Sequence, residues 1–204
     1  DRMKRSALLL LVPAVASANT LEVGPGKPFA TPCAAIGSAQ TGDTIAVDTA
    51  GTYDGDTCEW STDNLTVMGV GSGRAKIDLT GVTPAGEKGI FTIDAPNATI
   101  ENFELSGAAI TVDEGNNGAG IRHAGLNLTV VNCYFHDNQD GILGVPSTAG
   151  SGAIVIQASE FANNGAGDGY SHNMYLGDYG SLTVEGSYSH GAKVGHLLKS
   201  RAYV

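Results

Sequence analysis

Charge is scarce in this 204-residue chain: 16% of its residues are Asp, Glu, Lys or Arg, and 21 acidic residues outnumber 11 basic ones. A formal net charge of −10 lacks the basic surface that nucleic acids and anionic membranes require, so neither is an expected partner. The three cysteines show no Cys-x-x-Cys or Cys/His spacing of a structural zinc site. No P-loop, nucleophile elbow or GxGxxG opening a helix occurs, which removes the usual carriers of nucleotide and acyl-transfer chemistry. Helical periodicity between the apolar segments is missing too, and with it the crossover helices of a βαβ sheet.

A bilayer-spanning apolar run is also absent. The run ALLLLVPAVA from Ala7 is too short to span, but it follows Lys4 and Arg5 and ends at Ala16-Ser17-Ala18, the basic, apolar and small-residue order of a secretory signal. Residues 1–18 are therefore expected to be a signal peptide cleaved after Ala18, and 19–204 one domain of 8 basic against 20 acidic residues. A secreted, periplasmic or cell-surface location follows, with no membrane insertion after signal removal. In an oxidising compartment Cys33 and Cys58 can pair or remain free. Cys133, inside the apolar run LTVVNCYF, reads as a buried small hydrophobe.

What the chain does have is glycine, 29 residues spread among Val, Ile, Leu and Thr, as frequent turns between short strands require. The apolar runs NLTVMGVG (64–71), NATIENFEL (97–105), NLTVVNCYF (127–135), AIVIQASEF (153–161) and SLTVEGSYS (181–189) align on Val67, Ile100, Val130, Ile156 and Val184, spaced by 33, 30, 26 and 28 residues. A second series interleaves: GIFTID (89–94), GIRHA (120–124), GILGV (141–145), NMYLG (173–177) and HLLKSR (196–201). Two alternating strand series with no helix between them stack in parallel as a solenoid. Leucine-rich and hexapeptide repeats fail on pattern and coil length, leaving an all-β, right-handed parallel β-helix of at least five coils over residues 24–202. Asn64, Asn97 and Asn127 precede strands, and Asn102 and Asn132 occupy matching places within them, where stacked side-chain amides can serve a bending backbone. The same stacking accounts for the three Asn-x-Thr sequences better than glycosylation does.

The opening VGPGKPFATPCAAIGSAQTGDTIAVDTAGTYDGD resembles the N-terminal cap and first coil of the pectin-lyase-like superfamily of right-handed β-helices. That resemblance implies a short capping helix, whose apolar stripe would be Ala34, Ala35, Ile36 and Ala39. It also implies membership among polysaccharide lyases, glycoside hydrolases, uronate epimerases and non-catalytic surface proteins. At the other end, Ala202-Tyr203-Val204 follows a strand with no capping segment, so C-terminal coils are expected to be missing.

All five histidines, His123, His136, His172, His190 and His196, fall in the last few coils. If Met174 and Leu198 point inward, alternation sends Tyr175 and Lys199 outward in one column with Arg122, and Arg201 onto the face of Lys199. Elimination on a uronate polysaccharide needs a cation for the C6 carboxylate, a base for the C5 proton and an acid for the leaving oxygen. Arg201, Lys199, and Tyr175 or His172 are the respective candidates, with Arg122, His196 and His190 as substrate-binding residues. Lyases of the superfamily use Lys and Arg on outward β-helix positions, and Lys-Ser-Arg at 199–201 is similar in kind. The expected function is cleavage of an acidic glycan by β-elimination, with Ca²⁺ a possible cofactor. The alternative is a non-catalytic extracellular binding or structural β-helix. Acid pairs for a hydrolase would be Asp137 with Asp140 or Asp168 with Asp178, although turns recruit Asp for backbone reasons.

Overall fold

The computed structural model describes residues 17–84, 86 and 88–203; the expected signal peptide lies outside them except for Ser17 and Ala18. In chain order the elements are β1 (Thr20–Val23), α1 (Pro32–Ile36), β2 (Thr44–Asp48), β3 (Cys58–Trp60), β4 (Leu65–Val70), β5 (Ala75–Asp78), β6 (Gly89–Ile93), β7 (Asn97–Glu101) and β8 (Phe103–Ser106). They continue as β9 (Ala119–His123), β10 (Asn127–Val131), β11 (Tyr134–His136), β12 (Asp140–Gly144), β13 (Ser151–Gln157), β14 (Glu160–Ala162), β15 (Met174–Leu176), β16 (Tyr179–Glu185), β17 (Tyr188–His190) and β18 (Lys199–Ser200).

These strands form three parallel sheets wound as a solenoid. Sheet A holds β1, β2, β4, β7, β10, β13 and β16; sheet B holds β3, β6, β9, β12, β15 and β18; sheet C holds β5, β8, β11, β14 and β17. Three sheets replace the two series read from the sequence because the first series bends midway. At Asn102, Asn132, Ala158 and Gly186 the backbone enters the left-handed region, with φ of 61°, 50°, 49° and 56°. Each bend ends a sheet A strand and starts a short sheet C strand on a new heading. Asn tolerates this conformation because its side chain bonds locally, whereas Ala158 carries strain of roughly 1 kcal/mol.

Val67, Ile100, Val130, Ile156 and Val184 stack in register through sheet A, preceded by Ile45. All but Val184, 39% exposed in the last coil, are fully buried. Burying each such side chain contributes about 2 kcal/mol before the entropy of ordering is subtracted. At the N-terminal end α1, capped by the Thr31 hydroxyl, packs Ala35 and Ile36 into the core, with Ala39 just beyond it. Ala34 faces solvent instead of joining that stripe, because the helix makes little more than one turn. Cys33 and Cys58 form a disulfide that ties this helix to β3.

Amides hold the corners, as the repeated asparagines imply. The Asn132 side chain donates to Asn102 Oδ1 at 2.9 Å, and Asn102 Nδ2 donates to the carbonyls of Gly69 and Gly73. Asn127 Nδ2 donates to Asn97 Oδ1 at 2.8 Å, but the next acceptor is Asp63 Oδ1, not Asn64, whose own backbone is left-handed. A third, buried ladder runs through Asn138, Asn164 and Asn173 at the corner between sheets C and B.

Candidate functional site on sheet B

Sheet B positions the side chains singled out above. Register pairs Thr92 with Arg122, Arg122 with Leu143, Leu143 with Tyr175 and Tyr175 with Lys199, one outward column with one residue per coil. The residues just before them, Phe91, Ile121, Ile142 and Met174, stack in the core, which is why alternation turns this column outward.

Tyr175 sits at the centre of the cluster. Lys199 Nζ lies 4.8 Å and Arg201 Cζ 5.7 Å from its ring centroid, and His172 meets the ring edge-on at 5.8 Å. Arg201 is held in place by its backbone N–H, which donates to the Leu176 carbonyl at 2.8 Å. Beneath Lys199, the Nε2 of His172 is 3.4 Å from Nζ. His172 Nδ1 accepts the backbone N–H of His196 at 3.1 Å, which assigns the proton of the neutral ring to Nε2. Burial, followed by the charges of Lys199 and His196, lowers the His172 pKa and favours that neutral form.

Asp140 anchors the cluster from one coil earlier. Its Oδ1 accepts the His172 backbone N–H at 2.7 Å, and the residue is 1% exposed. Burial pushes its pKa up to about 8, with Asp168 adding to the rise and the His172 N–H, Arg122 and Lys199 opposing it. A carboxyl kept this far from water beside the half-buried cations Arg122 and Lys199 is a common mark of a functional site.

The sequence-derived set thus divides. Lys199, Arg201, Tyr175, His172 and His196 come together, with Arg122 two coils away in the same column. His172 is fully buried, so it can act on the exposed residues but cannot touch a polymer. His190 is elsewhere, on sheet C, 3.1 Å from Glu160 Oε1. Among the acid pairs considered, Asp137 meets His136 and Lys193 at a corner, and Asp168 accepts from Asn116 and Tyr170 in a turn. The buried setting of Asp140 has no sequence signature. Neither has the pair in which His123 Nδ1 lies 2.7 Å from the Tyr179 hydroxyl, reached across Gly144, where any Cβ would lie 3.0 Å from that oxygen.

Among the described residues no three His, Cys, Asp or Glu side chains are grouped to hold a metal ion. A groove of about 680 Å³, lined by Arg74, Lys76, Glu101, Asn102 and Glu104, lies at the corner of sheets A and C, away from this cluster. Within the outward column of sheet B, Thr92 and Leu143 are buried, so the column is open to solvent only in part, with Arg122, Tyr175 and Lys199 half-buried.

A family model described as a right handed beta helix region matches residues 54–201. Among solved structures, a pectin methylesterase mutant in complex with a hexasaccharide is similar at 14% identity and a TM-score of 0.46, covering 82% of this chain and 67% of that one. No curated protein matches.

Proposed function

The chain belongs to the right-handed beta helix family, and from that premise we propose that it is an exported carbohydrate-active protein that cleaves an acidic, uronate-containing polysaccharide by β-elimination on the outer face of sheet B. The observation that carries this reading is the pair of cations against one tyrosine, Lys199 and Arg201 on Tyr175, with Arg122 two coils along the same column, in a chain of net charge −10.

In this reading Arg201 neutralises the C6 carboxylate and so stabilises the charge that develops at C5, while Arg122, further along the column, binds another sugar of the same polymer. Lys199 in its uncharged form takes the C5 proton. The electron pair left at C5 forms the C4–C5 double bond, the C4–O bond breaks, and the Tyr175 hydroxyl protonates the departing oxygen. His172 is a positioning residue: its ring, fixed by the His196 backbone N–H, lies 3.4 Å from Nζ and sets where the amine stands.

The test is the ultraviolet absorbance of unsaturated uronate ends released from pectate or alginate, with and without Ca²⁺. Product from the wild type and little from Lys199→Ala supports the reading; no product from any polyuronate overturns it. A second reading, binding without cleavage, has support in the stacking of Lys199 over the Tyr175 ring, a contact that holds the amine still. It predicts retention of polyuronates without product.

A further inference from the structure

Sheet C presents two outward columns. In the first, Lys76, Glu104, Tyr134, Glu160 and Tyr188 are in register; in the second, Asp78, Ser106, His136, Ala162 and His190. One three-residue unit occurs twice across them. Tyr134 stacks on His136 with centroids 4.3 Å apart, and His136 Nε2 is 3.6 Å from Glu104 Oε1 of the preceding coil. Tyr188 stacks on His190 at 4.4 Å, and His190 Nε2 is 3.1 Å from Glu160 Oε1 of the preceding coil. The two units stand two coils apart, about 9.6 Å along the axis.

Packing does not require these units. The sheet C core is filled by Phe103, Leu105, Phe135 and Phe161, while Tyr188 is 63% exposed. Their surroundings are acidic: Asp54, Asp78, Glu104, Asp137 and Glu160 line the face. The nearby cations are engaged, Lys76 with Glu104, Lys193 with Asp137, and Arg74 with Asn132 and the Tyr134 ring. A polyanion is repelled here, in contrast to sheet B. Each unit offers a phenol and a carboxylate to neighbouring sugar hydroxyls, with the imidazole packed between them; in the first, His136 Nδ1 is paired with Asp137 and Nε2 is shut from solvent, so that ring positions its two neighbours. Burial and the charges of Glu160, Asp137 and Glu104 raise the Tyr134 pKa, so its hydroxyl remains a donor. The stacked rings already fix the polar tips, so little entropy is lost on binding.

We propose that the sheet C face is a second glycan-binding strip, independent of the sheet B reading, that takes a neutral, linear β-1,4-linked polysaccharide lying along the helix axis. Such a chain in its extended two-fold form repeats its hydroxyl pattern every second sugar, a repeat close to the two-coil spacing, so both units meet equivalent sugars.

The test is calorimetric titration of the full chain with cellohexaose and, separately, with an oligogalacturonate of the same length. Saturable cellohexaose binding that weakens at least tenfold in Tyr188→Ala and in His136→Ala, and is unchanged in Lys199→Ala, supports the proposal. Tyr134→Phe and Tyr188→Phe keep the ring stacks while removing the hydroxyls, so a folded double variant, checked by circular dichroism, must also lose affinity. No binding of cellohexaose, equal binding by the double variant, or preference for the oligogalacturonate on this face overturns it.

Discussion

Lys199 stands one coil beyond Tyr175 in the same outward column, its ammonium 4.8 Å from the ring centroid and 3.4 Å from the buried His172 Nε2. A solvated surface lysine has no need of two such partners. Lys199→Ala and Arg201→Ala are each expected to lower kcat/KM on a polyuronate at least a hundredfold, equivalent to about 2.7 kcal/mol of transition-state stabilisation. Tyr175→Phe, which keeps the ring but not the proton, should lower kcat with KM nearly unchanged. Steady-state rates of unsaturated product formation check all three; a KM effect alone in Tyr175→Phe counts against its role as the acid.

Stability against pH should show a buried carboxyl and buried imidazoles pulling in opposite directions. Asp140, at about 8 in the folded protein against about 3.8 unfolded, favours folding while protonated, so its contribution is lost as pH rises from 4 to 8. His123, lowered to about 4 from 6.5 chiefly by burial, costs stability as pH falls from 6.5 to 4. His172, also lowered by burial, adds to the His123 cost, so below 6.5 the imidazoles oppose Asp140, and above 6.5 the loss from Asp140 remains. Asp140→Asn keeps an oxygen for the His172 N–H and should raise stability at pH 8 by on the order of a few kcal/mol, removing the decline. Calorimetric melting from pH 4 to 9 measures this, and an unchanged slope in the variant would contradict the assignment.

Much of this was legible in the sequence because a solenoid writes its geometry as periodicity. Matching Val67 to Ile100, Val130, Ile156 and Val184 fixed one column, and simple alternation then placed Tyr175 beside Lys199. The sheet C strands were missed because YFH and EFA run on from sheet A in apolar pattern; only the left-handed bends at Asn132 and Ala158 separate them. His190 was grouped with His172 because both lie in the last coils, yet neighbours in a coil can face different sides of the solenoid. Burial hid Asp140, since an aspartate in a turn and one sealed under a sheet look alike in one dimension.

The Cys33–Cys58 disulfide closes a loop of 25 residues, so it should contribute about 3 kcal/mol through the unfolded state. The bond joins the capping helix to β3, far along the solenoid from Lys199. A Cys33→Ser, Cys58→Ser variant is expected to melt lower while keeping its activity on polyuronate. Hydrogen exchange should localise the loosening to residues 20–48; protection lost first near Tyr175 would place the effect elsewhere.

The corner ladders give the last test. Asn164 is fully buried: its Nδ2 donates to the Phe135 carbonyl at 3.0 Å and to Asn173 Oδ1 at 3.0 Å, while its Oδ1 accepts from the Asn138 backbone and side chain, each at 3.1 Å. Asn164→Ala removes all four bonds and leaves the Phe135 carbonyl and the Asn138 amide without those partners, each costing about 1–3 kcal/mol. Asn132→Ala, by contrast, breaks an exposed ladder but keeps a left-handed residue, at φ 50°, and strips the guanidinium of Arg74 of one contact. Its loss should be roughly 1–2 kcal/mol, mostly strain. Urea denaturation therefore ought to rank Asn164→Ala clearly below Asn132→Ala in midpoint; the reverse order would mean that the buried corner is held by packing of Phe135 on Phe161 rather than by its amides.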